Sequence, residues 1–373
     1  MNYEQRYRRL ISGQGSFGAC LLRILLWIVS IGYSLIVRLR NLLYSKGWFK
    51  THHVDAAVLC VGNITVGGTG KTPLVIWVYE QIIANFKSQM SDLTCAILTR
   101  GYKATQDSKL KTQNLIDEVA ILAESCPQAK VIVNPDRVAG AAEAIDKLSA
   151  KILIMDDGFQ HRRLARDLDI VAIDATLPFG YGKMLPAGLL REPVTSLKRA
   201  GAVVITRCDQ IIEAELGKLE EKLRAVNPDL VIARSKHAAV SVKSADENEI
   251  GVETLKGKKV FAFCGIGNPD AFLKTIQTLG CELVGSKAFN DHHHYTDACL
   301  ADIRTQAGEL GADLILTTQK DWTKLKSDFR SPSSDSELSP PFAYLAIEIQ
   351  FLAGEDKLKG LIESTLAGKI PQK

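Results

Sequence analysis

The run Val58-Leu59-Cys60-Val61-Gly62-Asn63-Ile64-Thr65-Val66-Gly67-Gly68-Thr69-Gly70-Lys71-Thr72-Pro73 constrains this chain more than any other stretch. A β-branched apolar run meets a glycine-rich turn, and the turn opens into the amphipathic segment Leu74 to Lys87, so the order is strand, loop, helix. That is the layout of a phosphate-binding loop. Glycines let successive backbone N–H groups converge on phosphate oxygens, the helix N-terminus adds positive dipole, Lys71 reaches the outer phosphates, and the Thr72 hydroxyl can ligate Mg²⁺. Pro73 fits a first helical turn, where no N–H partner is lost. The strict pattern wants glycine where this chain has Thr65; the candidate loop is therefore Thr65, Gly67, Gly68, Thr69, Gly70, Lys71 and Thr72.

A chain of 373 residues, 46% hydrophobic and 24% charged, can bury two cores and is not disordered. Its net charge of +4 is unevenly spread: residues 1–50 hold eight Lys or Arg against Glu4, a net of +7, which leaves −3 for the rest. The basic excess points to an anionic membrane surface near the N-terminus, and with no basic-aromatic platform elsewhere a nucleic-acid partner is not expected. No feature calls for an obligate protein partner. Eight cysteines lie scattered without a C-x-x-C pair, which suits free thiols in a reducing compartment.

Phe17 to Val37 is apolar apart from Arg23 and small polar residues, with basic residues on both sides. This reads as a membrane anchor, either spanning or lying in the interface, because the uninterrupted part, Ile24 to Val37, is short for a span. Beyond the loop, strands are predicted at Thr94–Thr99, Val131–Val133 and Lys151–Met155, at Asp167–Asp174 and Ala202–Thr206, and at Lys259–Cys264 and Ala343–Ile349. Acids at the end of the third, Asp156 and Asp157, suit a hard cation that bridges phosphates. Ile116-Asp117-Glu118 opens a predicted helix. The Gly- and Pro-rich segment Leu177 to Pro193, with Lys183, Arg191 and Glu192, suits an acceptor-binding lid. Gly265-Ile266-Gly267 lacks the third glycine of a dinucleotide site and reads as a tight strand-to-helix turn. The domain division expected is a membrane-associated stub at 1–50, a phosphate-loop domain at 51–235 and a smaller α/β domain at 236–373.

Taken together, these residues resemble the bacterial tetraacyldisaccharide 4′-kinase family. The resemblance rests on Gly62-Asn63 through Thr72-Pro73, Arg100-Gly101-Tyr102, Asp117-Glu118, Asp156-Asp157-Gly158-Phe159-Gln160-His161, Pro178-Phe179-Gly180 through Arg191-Glu192-Pro193, Asp291-His292-His293 and Lys320-Asp321. The family accepts Ser or Thr at the place of Thr65. The resemblance implies two α/β/α domains, the first a P-loop parallel sheet, joined by a short β-ribbon hinge behind an N-terminal membrane-associated helix. It also implies Mg²⁺-dependent transfer of the ATP γ-phosphate to the 4′-hydroxyl of an acylated glucosamine disaccharide 1-phosphate at the cytoplasmic face of the inner membrane. Residue by residue, Lys71, Asp117 and His292 are the catalytic candidates. Thr72, Asp156, Asp157 and Glu192 are candidates for the metal, and Arg100, Arg137, Gln160 and Arg191 for substrate. A different class would use the same loop: a GTP-driven metallochaperone or switch, with Asp209 reading guanine and His292 to His294 taking metal.

Overall fold

The structure, a computed structural model, describes residues 3–13, 17–86, 94–101, 119–244, 249–291, 293–325 and 340–369. Two helices come first, α1 (Tyr3–Ile11) and α2 (Phe17–Ser45). The apolar segment thus continues eight residues past its predicted end at Val37, because the basic residues that follow are good helix formers. Strand β1 (Ala57–Gly62) is buried along its whole length and leads through the phosphate loop into α3 (Lys71–Phe86). Next come β2 (Cys95–Thr99), a helix α4 described over 119–125, β3 (Lys130–Val133), α5 (Arg137–Leu148), β4 (Ile152–Asp156), β5 (Leu168–Asp174), β6 (Ala202–Thr206) and α6 (Glu213–Val226). Asp136 starts α5 by accepting from the N–H groups of Val138 and Ala139, and Ser149 ends it in the left-handed region.

The second half holds β7 (Val231–Ser244), β8 (Glu249–Gly251), β9 (Lys259–Cys264), α7 (Pro269–Thr278), β10 (Glu282–Ala288), α8 (Asp297–Glu309), β11 (Leu314–Thr318), α9 (Gln319–Leu325), β12 (Phe342–Ala353) and α10 (Glu355–Ala367). Of these strands β10 has no apolar alternation strong enough to be read from sequence, and its burial is only partial.

The strands form one sheet in the order β10-β9-β11-β12-β7-β6-β5-β1-β4-β2-β3, with β8 on β7. All pairings in the β3-to-β7 part are parallel, as are β10-β9, β9-β11 and β11-β12. Between the two parallel parts, β7 and β12 run antiparallel from Arg234–Ala353 to Ser244–Ala343. This ribbon carries the chain without interruption through position 235. Buried side chains form separate clusters on each face of both parts, which makes each part three layers deep. The chain then returns to its first half. Helix α10 lays Leu358, Ile362 and Leu366 in the same cluster as Trp77, Val78 and Ile82 of α3. Phe351, on β12, meets Trp77 with ring centroids 4.6 Å apart.

At the centre of the first part β1 lies between β4 and β5, with Val61 beside Asp156. The phosphate loop and the acidic end of β4 therefore emerge side by side at the carboxyl edge of a parallel sheet, where ligand crevices form.

Candidate active site

Close packing dictates the loop's first glycine. A Cβ on Gly62 would stand 2.6 Å from the Phe159 Cβ, so any larger residue would push the β4–β5 connection off β1. After it the loop is held from three sides. Asn63 Nδ2 donates to Thr69 Oγ1 at 3.1 Å, and Thr206 Oγ1, at the end of β6, donates to the Thr69 carbonyl at 2.9 Å. Val66 N donates to Leu189 O and Arg191 N to Ile64 O, both at 2.8 Å, with Thr65 bridged to Leu190 between them. Gly70 has φ +84°, a conformation glycine adopts without strain, and a Cβ there would sit 2.4 Å from Nε2 of His237.

Lys71, Asp157 and Arg191 converge in front of this loop. Arg191 Nη1 lies 3.1 and 3.0 Å from the two Asp157 carboxylate oxygens, and Lys71 Nζ lies 3.5 Å from Oδ1. Burial on its own pushes the Asp157 carboxyl up, but Lys71 and then Arg191 hold it well below the usual carboxylate range. Asp157 has φ +49°, the left-handed turn that aims its side chain back over the loop while Asp156 remains buried in β4. Lys71 and Arg191 offset the Asp156 and Asp157 carboxylates, and the loop N–H groups at the start of α3 add the positive end that a polyphosphate would meet.

The cavity in front of the loop measures about 250 Å³ and is closed by the second half of the sheet. Gly67 to Thr72, Asp156, Asp157 and Arg191 line one wall; Ile266, Gly267, Phe272, Asp291, Thr318, Gln319 and Lys320 line the other. The turn predicted at Gly265-Ile266-Gly267 is thus more than a connection, since a Cβ on Gly267 would come within 2.5 Å of the Gly68 nitrogen. Asn268 fixes that approach by donating to Asp174 Oδ2 at 2.9 Å and Thr176 Oγ1 at 3.1 Å. Lys320 Nζ pairs with Asp291 Oδ1 at 2.8 Å on the far wall.

Two candidates are corrected. Glu192, expected at a metal, is fully buried and points away from the cavity, under α2. Its carboxylate accepts from Arg40 Nη2 at 2.7 Å, Asn41 Nδ2 at 3.1 Å and Arg199 Nη2 at 2.9 Å, an enclosed site that an ion in the cavity does not reach. Arg137, expected at substrate, is 2% exposed and donates to the carbonyls of Asn134 at 2.8 Å and Asp156 at 2.9 Å, so it braces the end of β4 from behind. Gln160 donates to the Asn63 carbonyl at 2.8 Å and ties the β4–β5 turn to the loop. Arg100 is exposed at the end of β2. Asp117 and His292 lie outside the described residues, but Ile121 and Asp291, close to each in sequence, border the same cavity.

Sequence reading missed Asn63, Thr206 and His237. His237, on β7, has no hydrogen-bond partner at its buried Nε2; burial and then the nearby Arg207 hold it neutral. Arg207 is itself paired with Asp174 behind the loop, and the neighbouring Asp209 does not line the cavity. His293 stacks on Phe289 at 4.4 Å, and among the described residues no group of three or more His, Cys, Asp or Glu side chains could hold a metal. The oxygen donors at the loop that fit Mg²⁺ are the Thr72 hydroxyl and the Asp156 and Asp157 carboxylates.

The burial of Glu192 makes a stability prediction. Burial raises its pKa, but Arg199, Ser196 and Arg40 together hold the carboxyl below its ordinary value, so it contributes stability above the unfolded carboxyl pKa and loses it as pH falls through the folded one. Glu192→Ala leaves Arg40 and Arg199 facing an emptied buried site, and a chemical-denaturation curve at neutral pH is expected to show a loss of about 3–5 kcal/mol. A loss indistinguishable from zero would mean that the triad is not formed in solution.

Known proteins resemble the chain over most of its length. The family model described as tetraacyldisaccharide-1-P 4′-kinase matches residues 22–367. A tetraacyldisaccharide 4′-kinase of Halothermothrix orenii is 34% identical over 331 residues, 82% of this chain and 84% of that one. Another, from an Anaeromyxobacter species, is 37% identical over 342 residues, 88% of this chain and 87% of that one. Among solved structures, the apo form of LpxK from Aquifex aeolicus in complex with ATP superimposes with a TM-score of 0.67 at 30% identity, covering 92% of this chain and 99% of that one.

Proposed function

The chain belongs to the tetraacyldisaccharide 1-phosphate 4′-kinase family and is an ATP-dependent phosphotransferase, and from that premise we propose how its residues divide the work. The acceptor is an acylated glucosamine disaccharide 1-phosphate, and the transfer goes to its 4′-hydroxyl. The observation that supports this best is the convergence of Lys71, Arg191 and Asp157 before a phosphate loop, in a cavity that a second set of strands closes. Phosphoryl transfer asks a protein mainly for positioning and for charge opposite the transferring group. Lys71 and the loop N–H groups supply that charge, and Thr72, Asp156 and Asp157 would hold Mg²⁺, which neutralises phosphate oxygens when bound. Arg191, held at Asp157, adds positive charge to the same wall. Once both substrates are bound the far wall would screen the transferring phosphate from water, which favours the acceptor over hydrolysis. The acceptor hydroxyl must lose a proton, and Asp117 with His292 is the pair proposed to take it. Purified protein incubated with γ-labelled ATP and the lipid disaccharide 1-phosphate is expected to form a labelled bisphosphorylated lipid. Label found only in inorganic phosphate would defeat this reading.

The membrane is the second half of the proposal. Helix α2 exposes Leu25, Ile28, Leu35, Ile36 and Leu39, each more than half accessible, while Ser30, Tyr33, Val37, Arg40 and Asn41 face the protein at three- and four-residue intervals. Only 17–29 precede the docked part, about 20 Å of helix against a hydrocarbon core of about 30 Å, which favours a helix lying in the interface at the cytoplasmic side of the inner membrane. Deleting residues 1–37 is expected to release the protein from membranes and raise the apparent KM for the lipid, with ATP affinity little changed. Truncated protein that still sediments with vesicles in high salt would locate the anchor elsewhere.

A further inference from the structure

Helix α2 bears an exposed apolar face and also touches the phosphate loop's support, and that connection is one residue long. The Tyr33 hydroxyl donates to the Arg191 carbonyl at 3.0 Å. The Arg191 amide donates to Ile64 O at the entry to the phosphate loop, and its guanidinium grips both oxygens of Asp157. The next residue, Glu192, is the fully buried carboxylate shared by Arg40 and Asn41 of α2 with Arg199. Further along the same helix, Ser30 Oγ donates to Met184 O at 2.8 Å, and Met184 bridges to Leu190, which in turn bridges to Thr65. Four α2 side chains thus hold the segment that bears Arg191, Ser30 and Tyr33 through its backbone and Arg40 and Asn41 through the Glu192 carboxylate.

We propose that Tyr33 and Arg40 are positioning residues for phosphoryl transfer: through the backbone of Arg191 and the carboxylate of Glu192 they hold the Arg191 guanidinium at Asp157. Helix α2 is then part of the active site's supporting frame. Its seating on the lobe sets turnover, in addition to any effect of bringing the enzyme to the lipid. The physical reason is that a guanidinium on a Gly- and Pro-rich segment has no rigid element of its own. A misplacement of about 1 Å in such a group can cost 10²-fold in rate. In this chain the rigidity is borrowed from a helix whose opposite face is apolar and exposed. The inference rests on the kinase reading.

The test uses the full chain, with the acylated disaccharide 1-phosphate dispersed in detergent micelles at saturating concentration, so that delivery to a membrane no longer limits the rate. The variants are Tyr33→Phe, which removes one hydroxyl, Arg40→Met, which removes the α2 cation paired with Glu192, and Arg40→Lys, which restores a cation there. In Tyr33→Phe, kcat is expected to fall roughly three- to tenfold, about what one neutral hydrogen bond is worth. In Arg40→Met it is expected to fall further, and in Arg40→Lys to recover most of the loss. The KM values for ATP and lipid should stay at the wild-type level throughout. Thermal melting identifies a variant that has unfolded; if Arg40→Met does, Tyr33→Phe decides alone. Losses confined to the lipid KM with kcat intact would overturn the proposal, leaving α2 an anchor only, as would an Arg40→Lys no better than Arg40→Met. A wild-type protein that forms no bisphosphorylated lipid would overturn the kinase reading and this inference with it.

Discussion

Lys71→Ala is expected to lower kcat on the order of 10²-fold or more while the protein stays folded. Its ammonium is the one cation that the phosphate loop itself carries into the cavity, 3.5 Å from Asp157 and at the N-terminal end of α3. Charge on the transferring phosphoryl group spreads over its outer oxygens in the transition state, so the missing cation is felt more there than in bound ATP. A loss of kcat larger than the loss of ATP affinity is therefore the expected pattern. Arg191 cannot take over. Its guanidinium is committed to both Asp157 oxygens, and its backbone is tethered to Ile64. Turnover and nucleotide Kd measured side by side decide the matter: near-normal kcat in the variant would remove Lys71 from the chemistry.

Asp117→Ala and His292→Ala are each expected to lower kcat by about 10²-fold or more with ATP affinity nearly kept, the range in which a positioned general base contributes. A carboxylate fixes the tautomer of a histidine and stabilises the imidazolium once it has taken the proton, so the two should act as one unit. The double variant is then little worse than the worse single one. Ile121 and Asp291, near the two in sequence, both line the cavity at the phosphate loop. Turnover of the two single variants and the double one provides the test. Losses that multiply in full would mean independent roles, and wild-type turnover in either would exclude that residue.

The phosphate loop was legible because its pattern is local: glycines, a lysine and a hydroxyl between a strand and a helix have few other uses. The acidic end of β4 was legible for the same reason, and its neighbour relation to β1 follows from parallel topology. Glu192 and Arg137 were misread because a charge on a polar loop or at a helix start looks solvated until something packs over it. For Glu192 that something is α2, 150 residues earlier in the chain, and a signal existed. Ser30, Tyr33, Arg40 and Asn41 recur on one stripe of an otherwise apolar helix, which marks a docked face. Thr206 and His237 had no local signal at all. Their use depends on β6 and β7 ending beside the loop, a long-range consequence of sheet order. The return of α10 to the first cluster is equally invisible from sequence, since an amphipathic helix does not state which surface it will cover.

The most direct test of the account is the position of the transferred phosphate. Full-length protein, Mg²⁺, ATP and acylated glucosamine disaccharide 1-phosphate are brought together, and the lipid product is examined by ³¹P NMR and mass spectrometry, with Lys71→Ala run in parallel. The account predicts one added phosphate, on the 4′-oxygen, in the wild type and almost none in the variant. Phosphate at another position, or product formed equally well by Lys71→Ala, would contradict it.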